Sequence, residues 1–325
     1  MNSSLSAAGM LRLLLAVQAL GVLLVAGLLR WQGWTAGAAL VGAMAVLVLV
    51  RALIFTNNFL LSARSASPTP PECRPGLAGW LRLWGEEFVA SMLQSSWHTP
   101  RGRARQVIYP DSPAPPVLLL HGYGCNSGYW YHLLRRLDSA RISHATVDLS
   151  PVTGDIDAYA AQVDAAAAAL CVASGATQLV VVAHSMGGLV ARAWLRSAGA
   201  EGQARLARLI TLGSPHHGTV LANLGVGINA AQMRRARSGE ASDWLRALAA
   251  AESAATRARI VSLWTHHDNI VSPQTSSCLE GARNIAFAGI GHVALGSNGR
   301  VLDCVMAEIR RCHGQQAACT VKLDA

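Results

Sequence analysis

Two runs of about twenty apolar residues stand near the start of the chain, and they limit what it can fold into more than any other feature. Residues 10–29 (MLRLLLAVQALGVLLVAGLL) are interrupted only by Arg12 and Gln18, and residues 36–55 carry only Arg51, close to their end. A helix rises ~1.5 Å per residue, so each run matches the ~30 Å hydrocarbon layer of a bilayer. Between them, Arg30-Trp31-Gln32-Gly33-Trp34-Thr35 is short and carries two tryptophans, residues that settle at headgroup level. The expectation is a transmembrane hairpin within residues 1–61, with Arg51 near enough to the end of its run to snorkel to the interface. A cleaved signal peptide is the competing reading, but its apolar core would be shorter and no second apolar run would follow at once. A hairpin leaves both chain ends on one side. Arg12, Arg51 and Arg64 flank the outer ends and Arg30 alone sits in the turn, which leans toward a cytoplasmic location for the rest of the chain.

The remaining composition narrows the class further. With 325 residues there is room for one or two domains, and 52% hydrophobic against 14% charged residues, at a mean hydropathy of +0.31, excludes a disordered chain. The net charge of +9 is nearly all arginine, since Lys322 is the only lysine. The arginines are scattered, with short clusters only at Arg101, Arg103, Arg105 and at Arg234, Arg235, Arg237, and no aromatic-basic motif accompanies them. Nucleic acid is therefore not an expected partner; codon usage that favours arginine and alanine is one explanation of the charge, and attraction to anionic lipid headgroups is the functional one. Seven cysteines are too few for a disulfide-built scaffold, and no Cys/His run has zinc spacing, so no metal is expected. Cys312 with Cys319, and Cys278 with Cys304, would be sensible pairs in an oxidising space; free buried thiols are the equal alternative.

Residues 62–105 read as a linker followed by an amphipathic helix. The stretch SARSASPTPPECRP over residues 62–75 cannot continue a helix. Leu77, Trp80, Leu81, Trp84, Phe88 and Met92 then recur at helical spacing, a pattern that fits either a helix lying in the membrane interface or one packed on a globular domain. Over residues 106–325 short apolar runs at 117–120, 145–147, 179–183, 209–212, 260–264 and 285–287 alternate with helical stretches, among them the alanine-rich 156–173. That alternation predicts a mainly parallel sheet with helices on both faces, whose active site lies at the carboxyl ends of the strands.

Three constellations fall at such ends. Leu179-Val180-Val181-Val182-Ala183-His184-Ser185-Met186-Gly187-Gly188 runs from an apolar strand into a helix and has the Ala-x-Ser-x-Gly form of a nucleophile elbow, in which small residues flank a serine on a sharp turn. Val117-Leu118-Leu119-Leu120-His121-Gly122-Tyr123-Gly124 places a glycine-bracketed turn after another strand. The amides of Tyr123 and Met186 are the candidates for an oxyanion hole, and His121 reads as a structural hydrogen-bonding residue. Asp268 follows the run at 260–264, and His292, beside Gly291, follows the run at 285–287. The order serine, acid, histidine, each after a later strand, is the one that accompanies a nucleophile elbow.

These motifs, together with Leu212-Gly213-Ser214-Pro215-His216-His217-Gly218-Thr219 and Asp268-Asn269-Ile270-Val271, make residues 107–310 resemble the α/β-hydrolase superfamily, in particular its bacterial lipases and esterases. The resemblance implies an α/β-hydrolase fold, here preceded by the two expected transmembrane helices, with Ser185 as nucleophile, His292 as base and Asp268 as its orienting acid. It also implies ester hydrolysis of lipid or other apolar acyl esters without an organic cofactor; the hairpin makes a multi-pass protein of a cell membrane, the bacterial inner membrane, the expected location. The hairpin departs from the family pattern, and no calcium-binding aspartate pair is identified. An acyltransferase or thioesterase with the same triad is one alternative, and a non-catalytic membrane scaffold with a hydrolase-like domain is another. The insertion at residues 220–230 reads either as a lid over an acyl pocket or as an ordinary crossover.

Overall fold

The computed structural model describes residues 6–323, and side-chain surroundings through residue 312. Helices α1 (Ala7–Trp31) and α2 (Ala36–Ala63) each begin on a hydroxyl cap: Ser6 accepts from the Gly9 amide and Thr35 from the Ala38 amide. They run antiparallel. Gly42 lies against Leu29, where an added Cβ would come within 3.0 Å of Leu29 Cδ1. Among the described residues these two helices and Ile156–Ser174 are long and apolar enough to cross a membrane. Leu13, Val17, Leu24, Val41 and Leu53 point outward from the pair, unpacked.

Two expectations for this region are corrected. Arg51 does not reach outward. It donates to Ser96 Oγ at 2.7 Å, to Met92 Sδ at 3.2 Å and to the Gln18 side chain, because acceptors inside the protein satisfy the guanidinium without water. Arg12 likewise donates twice to the carbonyl of Pro100, at 2.9 and 2.7 Å. The second correction concerns the linker, which does not begin at residue 62. Helix α2 continues through Ala63, and Ser62 is buried against the globular portion. Extended chain with one 3₁₀ turn at Pro71–Cys73 then leads to α3 (Leu77–Leu93). This helix packs on both neighbours. Trp84 and Phe88 stack on each other and meet Phe55 of α2 edge to face, while Leu83 and Glu87 are buried toward the sheet.

The globular portion is built on seven strands: β1 (Gln106–Val107), β2 (Val117–Leu120), β3 (His144–Val147), β4 (Leu179–His184), β5 (Leu206–Leu212), β6 (Ile260–Thr265) and β7 (Arg283–Phe287). Their order is β1-β3-β2-β4-β5-β6-β7, with every neighbouring pair parallel except the edge pair β1 and β3. The two-residue β1 carries no apolar signal and was not expected.

Strand β2, and β4 from Leu179 to Ala183, are apolar because they are covered on both faces. Leu118, Leu120, Val181 and Ala183 face one core with Ile156, Val163 and Leu170 of the helix Ile156–Ser174. Val117, Leu119, Val180 and Val182 face the other, with Val301, Val305 and Ile309 of the last helix. Parallel register brings Leu120 level with Val147 and Ala183, His184 level with Leu212, and Thr265 level with Phe287, so the carboxyl ends of β2 and β4 to β7 open on one edge.

Cys278, Cys304 and Cys312 are free thiols, and the Cys319 side chain lies outside the described residues. Truncating Leu119 in the middle of the sheet to alanine is expected to cost about 2–5 kcal/mol. Leu224→Ala, at an exposed site, should change stability by less than about 0.5 kcal/mol; thermal unfolding of the two variants checks the contrast.

Candidate active site

The turn from β4 into the helix Met186–Ser197 is forced at Ser185, which takes φ 54° and ψ −125°, a conformation rare for a residue with a side chain. Its amide is held by the Leu212 carbonyl at 2.9 Å. The small neighbours are required by contact. A Cβ on Gly187 would lie 2.5 Å from the Leu120 carbonyl oxygen, and one on Gly122 would lie 2.9 Å from Ser185 Cβ. The second contact sets the β2 turn directly against the serine and puts Tyr123 next to it in the chain. Met186 opens the helix that follows, so its amide belongs to the positive helix end. The Tyr123 hydroxyl donates to the Val226 carbonyl at 2.8 Å, tying this turn to the 220–230 insertion. That insertion folds as a 3₁₀ turn, Val220–Leu224, and a short helix, Ile228–Gln232, with Leu224, Val226 and Ile228 exposed.

Asp268 and His292 come together. Asp268 Oδ2 lies 2.8 Å from His292 Nδ1, and both residues are buried. Asp268 Oδ1 accepts the amides of Ile270 and Val271 at 2.9 and 2.7 Å, which fixes the carboxylate. With Nδ1–H donated to Asp268, Nε2 is the basic nitrogen. Burial by itself lowers the His292 pKa. The charge and hydrogen bond of Asp268, with the charge of Glu87, outweigh burial and hold the imidazole above its ordinary value. The His292 amide donates to Asn269 Oδ1 at 3.1 Å.

The elbow and the pair share one neighbourhood. The His184 ring, one residue before the serine, stacks on Tyr129 at 3.9 Å and tilts against His292 at 4.6 Å, and its Nε2 lies 3.3 Å from the His292 carbonyl. Burial, and then the nearby His292, push the His184 pKa well down, so it is a neutral packing element. No hydrogen bond joins Ser185 Oγ to His292 among the described residues. His121 has the structural part expected of it: Nδ1 lies 2.8 Å from the Gly122 carbonyl and Nε2 accepts the Leu149 amide at 2.9 Å.

Sequence reading missed three contributors. Gly213, at φ 56°, leaves room for the pair: a Cβ there would stand 3.1 Å from Asp268 Oδ2 and 3.2 Å from His292 Nδ1. Ser62 of α2 donates to the Asp268 carbonyl at 3.0 Å. Glu87 of α3 is buried beside the His292 loop; its one signal is a helical spacing of four residues from Leu83, beside the apolar stripe.

Residues 115–261 match the family model described as alpha/beta hydrolase fold. No curated protein matches the chain. Among solved structures, the mature form of a Bacillus licheniformis lipase superposes with a TM-score of 0.51 at 19% identity, over 64% of this chain and 97% of that one. Aspergillus fumigatus lipase B gives 0.49 at 18% identity, over 60% and 52%. A thermophilic esterase from Thermogutta terrifontis gives 0.45 at 19%, over 65% and 93%. The globular portion of this chain has the α/β-hydrolase fold, with apolar helices added ahead of it. The family match ends before Asp268 and His292, so those two rest on geometry.

Gly213→Ala is expected to lower the melting temperature more than Gly175→Ala. Both positions are left-handed, but at Gly175 nothing lies within 4 Å of the added Cβ, so only backbone strain of roughly 1 kcal/mol applies there.

Proposed function

We propose that the chain is a membrane-tethered serine ester hydrolase that cleaves lipid or other apolar acyl esters. The observation that carries the reading is the buried Asp268–His292 pair, with Nε2 as its basic nitrogen, at the same sheet edge as a serine on a strained strand-to-helix turn. Ser185 attacks the ester carbonyl, and His292 takes its proton at Nε2 and later delivers it to the departing alcohol. Asp268 fixes the imidazole tautomer and stabilises the cation. The amides of Tyr123 and Met186 receive the oxyanion, where the start of the helix after Ser185 adds favourable field. Water then releases the acyl group by the same steps in reverse.

Membrane attachment is supported by α1 and α2, whose outward residues are large and apolar with no protein covering them. The helix Ile156–Ser174 is apolar for another reason, since Ile156, Tyr159, Val163, Ala167 and Leu170 pack into the sheet's core. The choice of apolar acyl esters draws on the resemblance to bacterial lipases and on a site held beside lipid-compatible helices.

Ser185→Ala and His292→Ala should each lower turnover of short p-nitrophenyl esters by roughly 10³-fold or more, and a fluorophosphonate should label the wild type but not Ser185→Ala. Near-normal turnover by Ser185→Ala would end this reading. The active form of His292 is the neutral one and its pKa is raised. Activity should therefore rise with pH through an apparent pKa above the ordinary histidine value of about 6.5, read from the pH profile of kcat/KM.

A further inference from the structure

We infer that Glu87, on the helix that follows the membrane hairpin, is a positioning residue for His292, so that the N-terminal segment completes the hydrolytic site as well as tethering it. The inference rests on the proposed function of that site.

Glu87 has no exposed surface. Its two carboxylate oxygens take one amide each: Val293 donates to Oε1 at 2.8 Å and Ala294 to Oε2 at 2.7 Å. These amides open the 3₁₀ turn Val293–Gly296, whose cap residue is His292 itself. The carboxylate therefore grips the backbone immediately after the histidine through a two-point contact that fixes position and direction together. On the other side of His292, a Cβ on Gly291 would fall 2.4 Å from Glu87 Cδ, so the space a side chain would need is already filled by this carboxyl group. Asn269 holds the histidine amide and His184 approaches its carbonyl, which leaves the two following amides to Glu87.

A merely structural contact between α3 and the sheet would be made more cheaply by apolar side chains, since a buried carboxylate loses its hydration. A second N-terminal contact points the same way. Ser62 at the end of α2 donates to the Asp268 carbonyl, and the Ser272 hydroxyl donates to the Ser62 carbonyl at 2.7 Å. The two partners of the acid–base pair are thus each held from the chain that precedes the sheet.

The charge of Glu87 also reaches the imidazole. Burial, with Asp268 acting the same way, raises the Glu87 pKa to about 7 against the pull of the two amides and of His292; Tyr129 is another titratable group that feels Glu87. In its ionised form Glu87 favours protonated His292, so its removal is expected to lower the His292 pKa.

The test uses the full chain in uncharged detergent micelles, comparing wild type with Glu87→Gln, which keeps the shape but loses the charge and one acceptor. Folding is checked by thermal unfolding. The expected result is a roughly 10- to 100-fold fall in kcat with KM changed by less than about threefold, and a His292 titration midpoint, followed by imidazole NMR, displaced to lower pH. An unaltered His292 midpoint in a folded Glu87→Gln overturns the inference, whatever the turnover does. Should that variant fail to fold, Glu87→Asp keeps the charge and withdraws it by one methylene; a smaller displacement in the same direction supports the inference and an unaltered midpoint overturns it. Because the NMR titration needs no turnover, an inert wild type would count against the hydrolase reading alone and leave the Glu87 result separately decided.

Discussion

An imidazole buried against a carboxylate is useful only while both are held, because each would be better solvated in water. Here the pair of Asp268 and His292 is held from several directions at once, by the amides of Ile270 and Val271, by Asn269, and by Ser62 and Glu87 from the N-terminal helices. None of these contacts would meet without the parallel register that ends β4 to β7 along one edge. The sheet supplies the edge, its two apolar cores cover it on both faces, and the loops beyond it are tied back by the hydrogen bonds just named.

Much of this was legible in the chain itself. The apolar runs at 117–120 and 260–264 mark β2 and β6 within a residue, because a strand covered on both faces is mostly apolar; the buried Ser262 and Thr265 hydroxyls of β6 donate to the Ser277 and Ile290 carbonyls. The elbow was legible for a steric reason: only small residues fit beside Ser185, and the contacts of Gly187 and Gly122 show why. Less visible were features decided by partners remote in sequence. Strand β1 is two residues long and owes its pairing to β3, not to its own pattern. Ser62 sat in a run that reads as a linker, yet its hydroxyl is buried against a residue 206 positions away. Arg51 was expected to turn outward by its place in the helix, whereas Ser96, Met92 and Gln18 hold it inward, and no local pattern reveals such acceptors.

Helix α3 shows why spacing leaves the choice between membrane interface and globular packing even. It packs on α2 and on the globular portion at once. One face stacks Trp84 and Phe88 against Phe55, another buries Leu83 and Glu87, and Leu77, Leu81 and Val89 stay exposed. The stripe of Trp80, Trp84 and Phe88 thus meets both His267 and Phe55, while Leu83 and Glu87 form a second buried face beside it.

The helix Ile156–Ser174 satisfies the same length and hydropathy criteria as the hairpin, although its apolar side is spoken for by the sheet. Lipid and protein core are rival solvents for such a segment. During synthesis the hairpin emerges first, while the helix Met186–Ser197, which packs beside this one, emerges only after it. In a chain tethered as proposed, a third helix of membrane-compatible length would stay uncovered on that side until then, so its choice between lipid and protein would turn on how soon the following strand and helix fold against it.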